Sequence, residues 1–442
     1  MDMLPEDDSP LPDVPSLEGT GRILARRKRF WRPVLHPEAG RRLPSELAPT
    51  RVFEQAEQLA RGLQDPEYRS LLCAIDQAPF HTDTLGTPYF DGGSAFAAMQ
   101  EAIHAARNEV LLEAYVLRGD ATGRDMLESL RVAVARGVEV RLLADAFGSG
   151  QTRRQFWSMC RDSGSMLLLS RRPIYAPKGL LPIIDHRKLL IVDRRIAFTG
   201  GMNIGDEYRS GRNGDSAWRD THVRLEGSIV AELAAIFAES WESAGGDPLP
   251  TCNISASREQ AAAALVLDSR QGRGTNEVLA SYAATLGAAR KRVWISNAYF
   301  APSRPILELL KRTARRGIDV RLLLPGRCDI PVIRSATQGY YHELLAAGVR
   351  LFEYQGAVLH AKTVVADGQV GIIGSTNFDF RSFDFNAECN VLFQDERIAG
   401  ELEAAFEHDL LASLPVDEAT WASRPRLARI VAWLARRFAY FM

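Results

Sequence analysis

Four residue types suited to handling phosphate occur twice in this chain at one spacing. The first set lies in HRKLLIVDRRIAFTGGMN, from His186 to Asn203, and the second in HAKTVVADGQVGIIGSTN, from His360 to Asn377. In each, the Lys follows the His by two residues and the Asp follows the Lys by five; the first Gly comes seven later and the Asn three after that. A lysine ammonium and an asparagine amide can hold the oxygens of a phosphate group, while a neighbouring imidazole attacks phosphorus or moves protons. Lys188, Lys362, Asn203 and Asn377 would then carry the charge that builds on the non-bridging oxygens, with His186 and His360 as the reacting groups. One His-x-Lys would carry little weight, because a lone histidine on a strand is more often structural. Two complete copies in register make the catalytic reading the stronger one.

The residues between the polar positions say what must hold them. Leu189 to Val192 and Thr363 to Ala366 are β-prone runs that meet Gly-containing turns, so each copy reads as strand, turn, strand, turn. Residues two apart on a strand share a face, which points His186 with Lys188 and His360 with Lys362. The duplication reaches further. AARNEVLLEAY from Ala105 is matched by AARKRVWISNAY from Ala288, and ARGVEVRLL from Ala135 by RRGIDVRLL from Arg315. Apolar periodicity predicts helices near 94–107 and 124–136, each followed by a strand, from Val110 and Val138. The expected fold is α/β, with two pseudo-twofold-related lobes, each a mixed β-sheet flanked by helices. Residues 1–50 read as a disordered segment, acidic then basic; 51–246 as the first lobe with a helical lead-in; and 247–264 as a linker. Residues 265–413 read as the second lobe and 414–442 as a C-terminal amphipathic helix.

Composition narrows the partners. The 442 residues carry a formal net charge of -1 and are 46% hydrophobic, enough for substantial cores and without the basic groove expected of a nucleic-acid binder. Cys73, Cys160, Cys252, Cys328 and Cys389 lie far apart, which suits a reduced compartment and gives no zinc site. No carboxylate cluster suggests a metal, and no cofactor is implied. No apolar run is long enough to span a bilayer. The basic stretch from Arg22 to Arg42, with Phe30 and Trp31, reads either as a contact for anionic lipid headgroups or as a solvated segment. Arg171 and Arg172 could touch phosphate or only solvate a loop. On a helical wheel Arg426, Arg429, Arg436 and Arg437 share an arc with Trp433 and Tyr440. Leu427, Ile430, Val431, Leu434, Phe438 and Phe441 fill the adjacent arc, the pattern of a helix lying in a membrane interface. The alternative is a terminal helix packed on the lobes with its arginines in water.

The duplicated pattern resembles the signature of the phospholipase D superfamily in its single-chain, two-lobed form. TGGMNIGDEY, WRDTHVRLEG from Trp218 and YYHELLAAGVRLFEYQGAVLHAK from Tyr340 are similar to bacterial cardiolipin synthases, of the short peripheral type. The resemblance implies a two-step reaction in which His186 attacks phosphorus and His360 serves as general acid and base, although symmetry leaves the reverse assignment open. It suggests Asp220 and Glu388 as the carboxylates that orient the histidines, at unequal distances from Asn203 and Asn377. Asp193 and Asp367 belong to the motif, and in such proteins the Asp often supports the strand-turn geometry. Ser375 adds a hydroxyl to the phosphate-binding set where the first copy has Gly201. The implied activity passes a phosphatidyl group from one phosphatidylglycerol to another, releasing glycerol, on the cytoplasmic face of the bacterial inner membrane. An anionic membrane surface is the expected partner, nucleic acid is not, and the oligomeric state is unread. Hydrolysis to phosphatidic acid, nuclease activity and a non-catalytic lipid-binding scaffold are the competing functions.

Overall fold

The computed structural model describes residues 44–170, 184–211, 214–250, 261–269 and 277–438. The first lobe supplies β1 (His81–Tyr89), β2 (Glu109–Ala114), β3 (Glu139–Asp145), β4 (Met166–Ser170), β5 (Lys188–Val192), β6 (Ile196–Gly200) and β7 (His222–Glu226). The second supplies β8 (Ala262–Ser269), β9 (Arg292–Asn297), β10 (Asp319–Pro325), β11 (Arg350–Tyr354), β12 (Lys362–Ala366), β13 (Val370–Gly374), β14 (Glu388–Gln394) and β15 (Ser413–Val416). They form one mixed sheet in the order β15-β11-β10-β9-β12-β13-β14-β8-β1-β7-β6-β5-β2-β3-β4. Apart from β15 the order is a palindrome about the β8–β1 seam, so the sequence duplication becomes a pseudo-twofold axis. Helices Gly92–Ala105 and Ala121–Ala135 lead into the parallel strands β2 and β3, and Arg304–Arg315 links β9 to β10.

The two motifs are hairpins, β5–β6 and β12–β13. Their turns carry positive φ at both central positions, Asp193 (50°) and Arg194 (53°) in one, Asp367 (54°) and Gly368 (69°) in the other. This backbone matches the twist of the flanking strands, and Asp and Gly tolerate it well.

Three boundaries differ from those expected. The lead-in helices Pro49–Glu57 and Pro66–Asp76 belong to the second lobe: Val52, Phe53, Ala56, Tyr68, Leu72 and Ile75 share a core with residues of helix Glu277–Ala288. Tyr68 Oη lies 2.9 Å from Thr285 Oγ1. That helix is buried from Val278 to Ala288, so its face away from the sheet needs a cover. At Gly287 the fit leaves no room, since a Cβ there would lie 2.5 Å from the Phe53 carbonyl oxygen. Strand β8 begins at Ala262, inside the expected linker, and the second lobe continues through β15, whose Val416 pairs with Leu351.

Beyond β15 come two helices, Glu418–Ala422 and Arg426–Phe438, in place of one. The longer one sits against helix Pro331–Gln338 through small residues, Ala432 and Ala435, both buried. The helix thus packs on the second lobe, as the alternative reading expected, and of its arginines Arg437 is exposed while Arg436 turns toward the protein, 2.6 Å from Glu343 and 4.2 Å over the Tyr340 ring. Ile430, Val431, Trp433 and Leu434 face outward, 43 to 57% exposed. Among the described residues no helix is long and apolar enough to cross a membrane. The acidic and basic segments before Pro44, and Arg171 with Arg172, lie outside the described residues.

Candidate active site

Both histidines sit where the lobes meet, each just before the first strand of its hairpin. The backbone fixes them across the seam. His186 N–H donates to the Ala387 carbonyl (2.9 Å), and His360 N–H to the Arg219 carbonyl (2.7 Å). Ala387 and Arg219 each precede a carboxylate, so each histidine is delivered to the acid of the other lobe. His186 Nδ1 lies 2.9 Å from Glu388 Oε2, and His360 Nδ1 lies 2.6 Å from Asp220 Oδ2. Both carboxylates and both rings are buried. With Nδ1–H donated to a carboxylate, Nε2 is left as the nucleophilic or proton-carrying nitrogen. The two rings line one cavity of about 390 Å³, walled also by Tyr115, Asn203, Tyr208, Trp218, Tyr299 and Asn377.

Electrostatics separates the halves. Burial, with Lys188 and Lys362 nearby, holds His186 well below the usual imidazole range, so its ring is neutral at physiological pH. Burial and Lys362 also lower His360, opposed by Asp220. Burial acts to raise the Asp220 carboxyl, but Lys362 and His360 outweigh it and the group lies below its ordinary value. At Glu388 burial wins, raising the carboxyl to about 7 against Lys188 and Ser375. Desolvation brings Lys188 down to about 7 and Lys362 to about 8.

The chain matches the family model described as cardiolipin synthase, PLD-like domain, over residues 99–241 and 282–410. A cardiolipin synthase of Geobacillus sp. (strain WCH70) is 32% identical over 394 residues, 86% of this chain and 77% of that protein. The cardiolipin synthase of Listeria welshimeri is 31% identical over 365 residues, covering 80% of this chain and 74% of its own length. The chain belongs to this family. It is an enzyme, a phosphatidyltransferase of the phospholipase D superfamily. The crystal structure of a phosphatidylserine synthase from Haemophilus influenzae Rd KW20 superposes with a TM-score of 0.66, over 89% of this chain and 97% of that one. At 13% identity this likeness concerns the two-lobed fold.

Within this family member the motif residues separate by position. Lys188 Nζ donates to the His186 carbonyl at 2.7 Å and lies 5.1 Å over the Tyr115 ring. Lys362 Nζ donates to the His360 carbonyl, and its 2.9 Å approach to His360 Nδ1 is a contact only, because the Nδ1 hydrogen goes to Asp220. Asn203 and Asn377 reach the cavity wall. Ser375, expected to bind phosphate, does other work, and the two motif aspartates take the supporting strand-turn place that the resemblance implied. Ser375 points away from the wall, its Oγ donating to Glu388 Oε2 at 2.5 Å, so it is a support of that carboxylate and no phosphate ligand. Asp193 and Asp367 close the far ends of the hairpins. Asp193 accepts from the backbone N–H groups of Arg107, Asn108 and Glu109 at 2.7 to 3.0 Å, and Asp367 from those of Arg290, Lys291 and Arg292 at 2.7 to 2.8 Å. A five-residue strand puts each roughly 16 Å along the chain from its lysine. Gly201 is explained by Asp220: a Cβ there would meet Asp220 Oδ1 at 2.1 Å.

Sequence reading did not single out Tyr115, Tyr208, Tyr299, Asp329 or Arg381 as part of this wall. Tyr115 and Tyr299 carried a signal, since each ends one of the paired segments AARNEVLLEAY and AARKRVWISNAY. Asp329 and Arg381 had none.

Proposed function

We propose that the chain makes cardiolipin from two molecules of phosphatidylglycerol by way of a phosphohistidine. His186 Nε2 attacks phosphorus, the bond to the departing glycerol oxygen breaks, and that oxygen takes a proton from His360. His360 then removes a proton from a hydroxyl of the second phosphatidylglycerol, whose oxygen displaces His186 from phosphorus. Two phosphatidylglycerols thus become one cardiolipin and one glycerol, with both histidines restored. Lys188, Lys362, Asn203 and Asn377 carry the negative charge of the transition state.

The observation that supports this division of roles is the unequal pair of cross-lobe carboxylates. Burial and Lys362 hold His360 below its ordinary value, but the ionised Asp220 opposes them, and a bound phosphodiester anion adds to that opposition. The imidazolium needed for acid–base work is therefore more accessible at His360 than at His186. Glu388, raised to about 7, orients His186 with a weaker negative charge, and burial with Lys188 and Lys362 keeps this ring a neutral nucleophile. Aromatic rings around His360 offer an apolar surface to the carbon chain of an alcohol and none of use to water, which favours transfer over hydrolysis. Incubation with phosphatidylglycerol liposomes, read by mass spectrometry, tests the reading. Cardiolipin and free glycerol, absent from a His186→Ala control, are expected; phosphatidic acid alone would make the chain a hydrolase.

The same reading places the enzyme on an anionic membrane surface. The outward Ile430, Val431, Trp433 and Leu434 belong to a helix seated on Pro331–Gln338, whose Ile333 and Ala336 also line the cavity. Ile330, Val332 and Phe147, 40 to 62% exposed, extend the apolar surface around that helix and the cavity wall. A Trp433→Glu, Leu434→Glu variant is expected to float at least tenfold less with phosphatidylglycerol-rich vesicles. Unchanged flotation would remove this helix from the membrane contact.

A further inference from the structure

The tyrosines that end the two paired segments face the cavity in opposite electrostatic company. Beside His186, Tyr115 has the Lys188 ammonium 5.1 Å over its ring. Beside His360, Tyr299 donates its hydroxyl to Asp329, 2.9 Å from Oδ1 and 2.7 Å from Oδ2. Tyr299 and Asp329 follow the carboxyl ends of β9 and β10, the usual place for ligands in parallel strands, and both line the cavity. Tyr208, Trp218 and Tyr299 surround His360 with ring centroids 5.4, 5.5 and 5.9 Å away, whereas Tyr115 is 4.7 Å from His186.

A carboxylate on the wall of a site for an anionic phosphodiester repels the reacting group. It also offers about four lone-pair directions, and the Tyr299 hydroxyl with the weak Cys328 thiol donor, 3.5 Å from Oδ1, leaves room for further donors. Donors without negative charge that arrive beside His360 are the hydroxyls of the alcohol. We propose that Asp329, held by Tyr299, is a hydroxyl-binding subsite that selects a polyol as the accepting alcohol. It rests on the transfer reading above. One hydroxyl of a vicinal diol presents its proton to His360 Nε2, and its neighbour donates to Asp329 while the carbon chain lies against Trp218 and Tyr299. Water and monohydric alcohols bring no second hydroxyl, so the intermediate is steered to a glycerol-like acceptor.

The test is a competition on one intermediate. Phosphatidylglycerol vesicles are incubated with the full chain in equal concentrations of deuterated glycerol and 1-propanol, and the ratio of deuterated phosphatidylglycerol to phosphatidylpropanol is read by mass spectrometry. The unaltered chain is expected to favour deuterated glycerol by about tenfold or more, and Asp329→Asn to lose most of that preference while its share of phosphatidic acid rises. Tyr299→Phe, which frees Asp329 without removing it, is expected to move the ratio in the same direction by less. A general loss of activity lowers both products together, so the ratio isolates the subsite. An unchanged ratio in either variant that still makes product overturns the subsite alone. A chain that transfers to no alcohol overturns the subsite and the transferase reading together.

Discussion

Each lobe contributes half of the site, and the halves differ at the point where carboxylate meets histidine. The second lobe sends a glutamate to His186, and Ser375 props it at 2.5 Å. The first sends an aspartate, one methylene shorter, to His360, and Gly201 leaves the space it occupies. Long acid with serine faces short acid with glycine. The outcome is electrostatic: Glu388 is raised to about 7 by burial, whereas Asp220 is held below its ordinary value by Lys362 and His360 despite burial. A duplicated scaffold supplies symmetry of position, and small departures at the second contact of each ring are what the proposed division of roles between the two rings rests on.

The strongest way to break the comparison is to remove each histidine in turn. His186→Ala is expected to reduce turnover to background, with no phosphorylated protein. His360→Ala is expected to lose about 10²- to 10⁴-fold. With a phosphatidyl donor whose leaving group needs no protonation, it should accumulate an acid-labile phosphohistidine, visible as a mass increase on the intact chain. Accumulation in His186→Ala instead would reverse the roles.

Next in size is the glycine–serine difference. Gly201→Ser drives a Cβ into Asp220 and displaces the carboxylate from His360, and misplacement of this kind costs about 10²-fold in rate. Ser375→Ala removes one of several hydrogen bonds to Glu388, a loss of about fivefold. Gly201→Ser combined with Asp220→Glu copies the second lobe's solution into the first. Partial recovery over Gly201→Ser alone is the expected result, measured by kcat; none at all would mean that the two arrangements are not interchangeable.

The lysines sharpen the comparison through pH. Burial brings Lys188 to about 7 and Lys362 to about 8. An unfolded chain keeps those protons to about 10.4, so between these values it binds more protons than the folded chain, and the two groups' contribution to stability rises with pH. Turnover is expected to move the other way, falling several-fold from pH 7 to 9 as ammonium charge leaves the site. Parallel melting and rate profiles check both signs.

Much of this site was legible in the sequence, and the parts that were not share a cause. Spacing identified both hairpins, the histidines and the twofold duplication, because strand period and turn chemistry are local. Asp220 and Glu388 looked irregular, since their separations from Asn203 and Asn377 differ. In the fold each is placed by its bridge to the other lobe's histidine, so the distance to its own asparagine has no reason to match. The lead-in helices were assigned to the nearer lobe in sequence and cover the farther one, because helix Glu277–Ala288 presents the apolar face they need. Asp329 in its loop gave no periodic signal at all; only the cavity identifies it.

The smallest expected effect comes from a place where the halves agree closely. Asp193 and Asp367 each cap three consecutive backbone N–H groups at the far end of their hairpins, and each turn has positive φ at its two central residues. Because these carboxylates lie well away from the histidines, Asp193→Asn and Asp367→Asn should leave kcat within about twofold. Each should lower stability by about 1 to 3 kcal/mol, the range for replacing a charged acceptor by a neutral one. Denaturant midpoints and initial rates on the same preparations separate the two quantities. A large drop in kcat without loss of stability in either variant would return the motif aspartates to the reacting set. Equal losses of stability in both would show that symmetry survives in the scaffold where it has been given up at the site.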